Sequence, residues 1–124
     1  MKILSVDDSA MIRKIIARSI SVLGFDLLEA GNGVEALDVL EKNYTETDLI
    51  LLDWNMPEMD GFETLQRIKA DDRFKHIPVM MVTTEVERSN VIKAIQAGAK
   101  NYLSKPFTPE DLTTKIMETM GLGL

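Results

Sequence analysis

A chain of 124 residues with no cysteine and a net charge of −6 has the size of one compact domain. It has no disulfides or thiol chemistry, and it lacks the Lys/Arg cluster that binding to a nucleic-acid backbone requires. Hydrophobic residues make up 45% and charged residues 27%, and no apolar run approaches the ~20 residues that cross a bilayer.

The segment Met1 to Val6 is too short for a signal-peptide core and has no small-residue cleavage site, so a cytoplasmic chain is expected. Five short apolar runs then alternate with five helical patterns, which predicts an α/β fold of (βα)5 type, a parallel sheet with helices on both faces. The first strand is Lys2 to Val6. A helix from about Ser9 to Leu23 follows, with Ile12, Ile15, Ile16, Ile20 and Leu23 at helical spacing and Gly24 as its terminator. Asp26 to Ala30 is a second, more polar strand that suits a sheet edge, and the helix after Gly33 carries Val34, Leu37 and Leu40 on one face. The unbroken run Leu49 to Leu52 predicts a central strand with Asp53 at its carboxyl end. A loop from Trp54 to Asp60 leads past Gly61 into a helix bearing Phe62, Leu65 and Ile68. Val79 to Val82 is a further apolar strand ending in Thr83. A helix from about Ser89 to Ala97 is closed by Gly98, and Asn101 to Ser104 is the last strand. Thr108 is the expected N-cap and Pro109 the first turn of a helix holding Leu112, Ile116 and Met120. That pattern reaches almost to the end of the 124 residues, which predicts one domain, 1–124, without an output domain.

In such sheets ligands bind at the carboxyl ends of the strands, where strand order reverses. The strand ends here carry Asp7 and Asp8, Asp53, Thr83 and Lys105. An order of 2-1-3-4-5 makes strands one, three and four neighbours, so that these side chains converge. Three converging carboxylates repel unless a cation intervenes or a pKa rises. Every donor is oxygen, and the lone His76 sits just before a strand as a surface residue, so the set points to Mg²⁺ or Mn²⁺ rather than zinc. A carboxylate held in line with phosphorus, a metal, an ammonium and a hydroxyl are the parts of a phosphoryl-transfer site. Asp53 is then the nucleophile, Lys105 takes a phosphoryl oxygen and Thr83 donates a hydrogen bond. Each residue alone has a plainer role: Asp7, Asp8 and Ser9 as helix caps, Lys105 as a solvated lysine, and Asp53 as a turn residue. Their placement at successive strand ends favours the joint role.

Four motifs stand in order along the chain: Val-Asp-Asp-Ser at 6–9, Asp-Trp-Asn-Met-Pro-Glu-Met-Asp-Gly at 53–61, Val-Thr-Thr-Glu at 82–85 and Lys-Pro-Phe-Thr at 105–108. In these the chain resembles the receiver domains of bacterial two-component systems, most closely the free-standing chemotaxis members, over essentially its whole length. The resemblance implies the flavodoxin-like order 2-1-3-4-5. It also implies that Asp8 and Asp53 ligate Mg²⁺ directly, Asp7 acts through water, and Asn55 offers its backbone carbonyl. By the same resemblance Lys105–Pro106 is cis, Thr83 is the switch hydroxyl, and Tyr102 is the aromatic that follows it. Asn55 and Glu85 are the lifetime-tuning positions and match fast-decaying members, whereas Thr84 stands where a smaller residue is common and narrows access to the phosphoryl group. The implied partners are a histidine kinase as donor and the flagellar switch as target. A single-domain receiver in a phosphorelay or another pathway fits the same motifs. The expected protein is a monomer, not an enzyme on external substrates, and catalyses only its own phosphorylation and dephosphorylation.

Three rivals are disfavoured. A haloacid-dehalogenase-type hydrolase needs a second acid where Asn55 stands. In an FMN carrier the first loop cradles a phosphate dianion, which Asp7 and Asp8 would repel. A phosphate-independent interaction module would not keep all five expected side chains.

Overall fold

The computed structural model describes residues 1–122; residues 123 and 124 of the expected 1–124 domain lie outside the described residues. Ten elements alternate: β1 (Lys2–Val6), α1 (Ala10–Val22), β2 (Asp26–Ala30), α2 (Gly33–Asn43), β3 (Thr47–Leu52), α3 (Gly61–Ala70), β4 (Val79–Thr83), α4 (Arg88–Gln96), β5 (Asn101–Ser104) and α5 (Pro109–Thr119). All strand pairs are parallel and the order is β2-β1-β3-β4-β5, as expected. Among the described residues no helix is long and apolar enough to cross a membrane.

Parallel strands covered on both faces have no solvent side, which is why β3 and β4 read as apolar runs. One face of the sheet, with Leu4, Val6, Ile50, Leu52, Val79 and Met81, packs against buried residues of α2, α3 and α4 such as Leu40, Leu65, Ile68 and Ala94. The other, with Ile3, Leu49, Leu51, Met80 and Val82, packs against Ile16 and Ile20 of α1 and Leu112 and Ile116 of α5. Caps set the helix starts: the side chains of Ser9, Asn32 and Asp60 each accept a backbone N–H from the first turn, and Thr108 forms a reciprocal capping box with Asp111. These residues therefore precede their helices, so α1 starts one residue later than expected.

Two residues assigned to apolar helix faces, Ile15 and Val34, are exposed. Ile12, Ile16 and Ile20 already complete the inward stripe of α1, and Ile15 lies about a quarter-turn to its side, where the sheet no longer covers it.

On β1 the Ser5 hydroxyl is buried without a hydrogen-bond partner among the described residues. An unsatisfied buried hydroxyl costs about 1 kcal/mol or more. Ser5→Ala is expected to raise stability by about 1 kcal/mol, read as a higher denaturant midpoint at unchanged slope.

Candidate functional site

The three central side chains each come from the first residue past a strand, and each is held by its own backbone. The N–H of Asp7 donates to the carbonyl of Ala30 at the end of β2 (3.1 Å), that of Asp53 to Val6 at the end of β1 (3.0 Å), and that of Lys105 to Thr83 at the end of β4 (2.9 Å). Sheet pairing thus runs one residue beyond the strands and fixes three side chains that are far apart in sequence.

The Lys105 ammonium lies between two buried carboxylates, donating to Asp7 Oδ2 at 2.6 Å and Asp53 Oδ2 at 3.0 Å. The other oxygens of these carboxylates accept backbone N–H groups, Asp7 Oδ1 from Ser9 (2.9 Å) and Asp53 Oδ1 from Trp54 (2.7 Å). Asp8 is exposed beside them, and one carboxylate oxygen of each of Asp7, Asp8 and Asp53 lies within 4.8 Å of the others. Unit charges at that separation repel by about 3 kcal/mol at an effective dielectric of roughly 20. One ammonium against three carboxylates leaves the cluster net negative, and its donors are all oxygen, which fits a hard divalent cation.

Burial works against the Lys105 charge, but its bonds to Asp7 and Asp53 outweigh this and its pKa is raised. Asp7 also titrates above the ordinary carboxylate value of 3.8: burial and the nearby Asp53 charge outweigh the contributions of Lys105 and the Ser9 N–H. A carboxyl with a raised pKa favours the fold below the ordinary value, and that contribution is lost as pH rises through the raised one. With a chelator present, Asp7→Asn is therefore expected to melt above the parent at neutral pH. The difference should close as pH falls below the ordinary carboxylate range.

Thr83 is fully buried and its Oγ1 accepts the Glu85 N–H at 3.1 Å. The Glu85 carbonyl in turn accepts the Tyr102 hydroxyl, so Tyr102 on β5 is tied to the segment after β4. Burial first, then the Glu85 and Asp53 charges, pushes the Tyr102 phenol up to about 12. Without the family resemblance its hydroxyl would be expected in water. Asn55 and Thr84 are exposed at the rim of the site, and Lys105–Pro106 is cis. Trp54 is half-buried because its indole stacks on Phe62 of α3, with ring centroids 5.2 Å apart and planes at 15°. His76 is exposed, as expected.

Two features escaped sequence reasoning. Gly61 opens α3 against the backbone of Asp53: a Cβ there would lie 1.9 Å from the Asp53 carbonyl oxygen, and its N–H donates to the Trp54 carbonyl. Arg13 of α1 donates to the backbone carbonyl of Asp7. The signal of Arg13 in the sequence is its place one turn after the cap Ser9, on a helix whose periodicity is carried by apolar residues.

The family model of the response regulator receiver domain matches residues 3–117. The chain belongs to this family. Among similar proteins, this receiver is 48% identical over 122 residues to the chemotaxis protein CheY1 of Helicobacter pylori, covering 98% of each chain. Among solved structures it resembles the chemotaxis protein CheY4 of Vibrio cholerae, at a TM-score of 0.88 and 34% identity, with 95% of this chain and 97% of that chain covered. It also resembles one chain of the CheX–CheY–BeF3–Mg²⁺ complex from Borrelia burgdorferi, at a TM-score of 0.91 and 28% identity, covering 95% of this chain and 87% of that one.

Proposed function

We propose that this receiver is a phosphorylation-activated response regulator that accepts a phosphoryl group on Asp53 from a histidine kinase and then switches its protein partners, most directly in chemotaxis and control of the flagellar switch. The observation that carries this is the Asp7–Lys105–Asp53 arrangement beside Asp8. It provides a carboxylate nucleophile, a cation for the phosphoryl oxygens and an acidic pocket. The likeness to chemotaxis relatives supports the pathway.

In the proposed chemistry an Asp53 carboxylate oxygen forms a bond to phosphorus as the bond from phosphorus to the kinase imidazole nitrogen breaks, leaving an acyl phosphate. Lys105 exchanges its bond to Asp53 Oδ2 for one to a phosphoryl oxygen. The Thr83 hydroxyl donates to another. Asp7, Asp8, Asp53 and the Asn55 backbone carbonyl would hold Mg²⁺, or Mn²⁺ in its place, and a bound cation offsets charge on the phosphoryl oxygens. As Thr83 turns toward the phosphoryl group, the Glu85 N–H loses its acceptor. The 83–85 segment then shifts together with Tyr102, changing the face built by α4, β5 and α5. The protein acts as a cytoplasmic monomer on no external substrate. Asn55 and Glu85 favour loss of the phosphoryl group within minutes, and exposed Thr84 slows it by narrowing the approach of water.

Trp54 is the only tryptophan and adjoins the nucleophile. Its fluorescence should respond to Mg²⁺ and then, reversibly, to acetyl phosphate, with a phosphoryl adduct seen by mass spectrometry. A protein showing neither signal nor adduct would overturn the proposal.

A further inference from the structure

The Asp7–Asp8 pair has one half that is held and one that is not. Asp7 is bound at every polar atom: its N–H donates to Ala30 (3.1 Å), its Oδ1 accepts from Ser9 (2.9 Å), its Oδ2 accepts from Lys105 (2.6 Å), and its carbonyl accepts from Arg13 Nη1. The Asp8 carboxylate is exposed and accepts no hydrogen bond among the described residues. With no contact of its own to hold it, its reach into the pocket depends on where its backbone places the Cα–Cβ bond. The peptide that leads into that backbone is the one whose oxygen Arg13 holds.

Arg13 is well placed to fix this peptide. It stands one turn into α1, with its own N–H bonded to the Ser9 carbonyl (3.1 Å), and its side chain is only 22% exposed. Its Nε donates to Glu29 Oε1 on β2 at 3.2 Å. The guanidinium thus spans two elements, one nitrogen anchored on Glu29 and another on the Asp7 carbonyl. A planar fork can hold both directions at once, whereas a lysine ammonium would act as a single point charge.

We propose that Arg13 is a positioning residue for the acidic site: by fixing the Asp7–Asp8 peptide it aims the Asp8 carboxylate and so sets how tightly the site holds a divalent cation. The proposal rests on reading the Asp7, Asp8 and Asp53 cluster as a cation site. Charge and geometry act in opposite directions here. A guanidinium near a cation site repels the cation, so removing its charge alone would tighten binding, whereas losing its grip on the peptide weakens binding.

The test is calorimetric titration of Mg²⁺ into the parent chain and into the Arg13→Met, Arg13→Lys, Glu29→Gln and Asp8→Asn variants, each also melted in chelator. Arg13→Met should bind Mg²⁺ about ten-fold more weakly and Arg13→Lys about three-fold or more, the usual scale for loss of a group that orients a metal ligand. Glu29→Gln keeps the contact to the Asp7 carbonyl and should stay within about two-fold. A merely structural role would lower the melting temperature in chelator and leave affinity unchanged. Unchanged or tighter binding by both Arg13 variants, while the parent binds and Asp8→Asn does not, overturns the positioning role and leaves the cation site standing. A parent chain that binds no Mg²⁺ overturns both.

Discussion

Replacing Asp53 by asparagine is expected to abolish phosphorylation while making the metal-free protein more stable. The amide oxygen cannot form the acyl phosphate, so incubation with acetyl phosphate and Mg²⁺ should leave no adduct by mass spectrometry and no reversible change in Trp54 fluorescence. The loss should be at least about a thousand-fold in rate, because the nucleophile itself is gone. Stability moves the other way. Asp53 adds its charge to a pocket where Asp7 is already buried and like-charged. Lys105 keeps its closer partner, Asp7, when Asp53 is neutral. The gain should be about 1 kcal/mol, part of the like-charge repulsion being offset by the lost Lys105 contact. A variant that loses phosphorylation because it misfolds would melt lower, so the two measurements together separate a missing nucleophile from a damaged fold.

Gly61→Ala is expected to lower stability by about 3 kcal/mol and to impair phosphorylation as well. The added methyl would meet the Asp53 carbonyl oxygen at 1.9 Å, the Trp54 Cα at 2.7 Å and the Asp53 carbonyl carbon at 2.8 Å. All three are backbone atoms, so no side-chain rotation can relieve the overlap, and the Asp53–Trp54 peptide must shift. Gly24→Ala is the control. Gly24 has a φ of +78° and a methyl added there would meet nothing within 4 Å among the described residues, so only the backbone preference is lost, at about 1 kcal/mol. Denaturant melts should rank the two substitutions in that order. Phosphorylation from acetyl phosphate should fall only in the Gly61 variant. Equal effects on phosphorylation would show that the close approach of α3 to Asp53 does not matter for the site.

Much of the fold was legible because local signals agreed. The apolar runs at 49–52 and 79–82 mark strands buried on both faces, and Thr108-Pro109 marks the start of α5. The site was legible for a related reason: side chains at the carboxyl ends of neighbouring parallel strands must converge, so Asp7, Asp53 and Lys105 follow once the strand order is known. That order came from resemblance, since periodicity finds strands but does not order them.

The sequence by itself therefore determined the elements, the Thr108 cap of α5 and the chemical set of three carboxylates, a lysine and a threonine. It did so because propensity, hydrophobic period and strand-end position are properties of short segments. Only the tertiary structure decided that Trp54 stacks on Phe62, that Tyr102 bonds to the Glu85 carbonyl, that Gly61 touches the Asp53 backbone and that Arg13 holds the Asp7 carbonyl. Each of these contacts joins residues whose separation is set by how helices and loops pack across the sheet. Hydrophobic period and cap residues mark the elements and leave that packing unspecified.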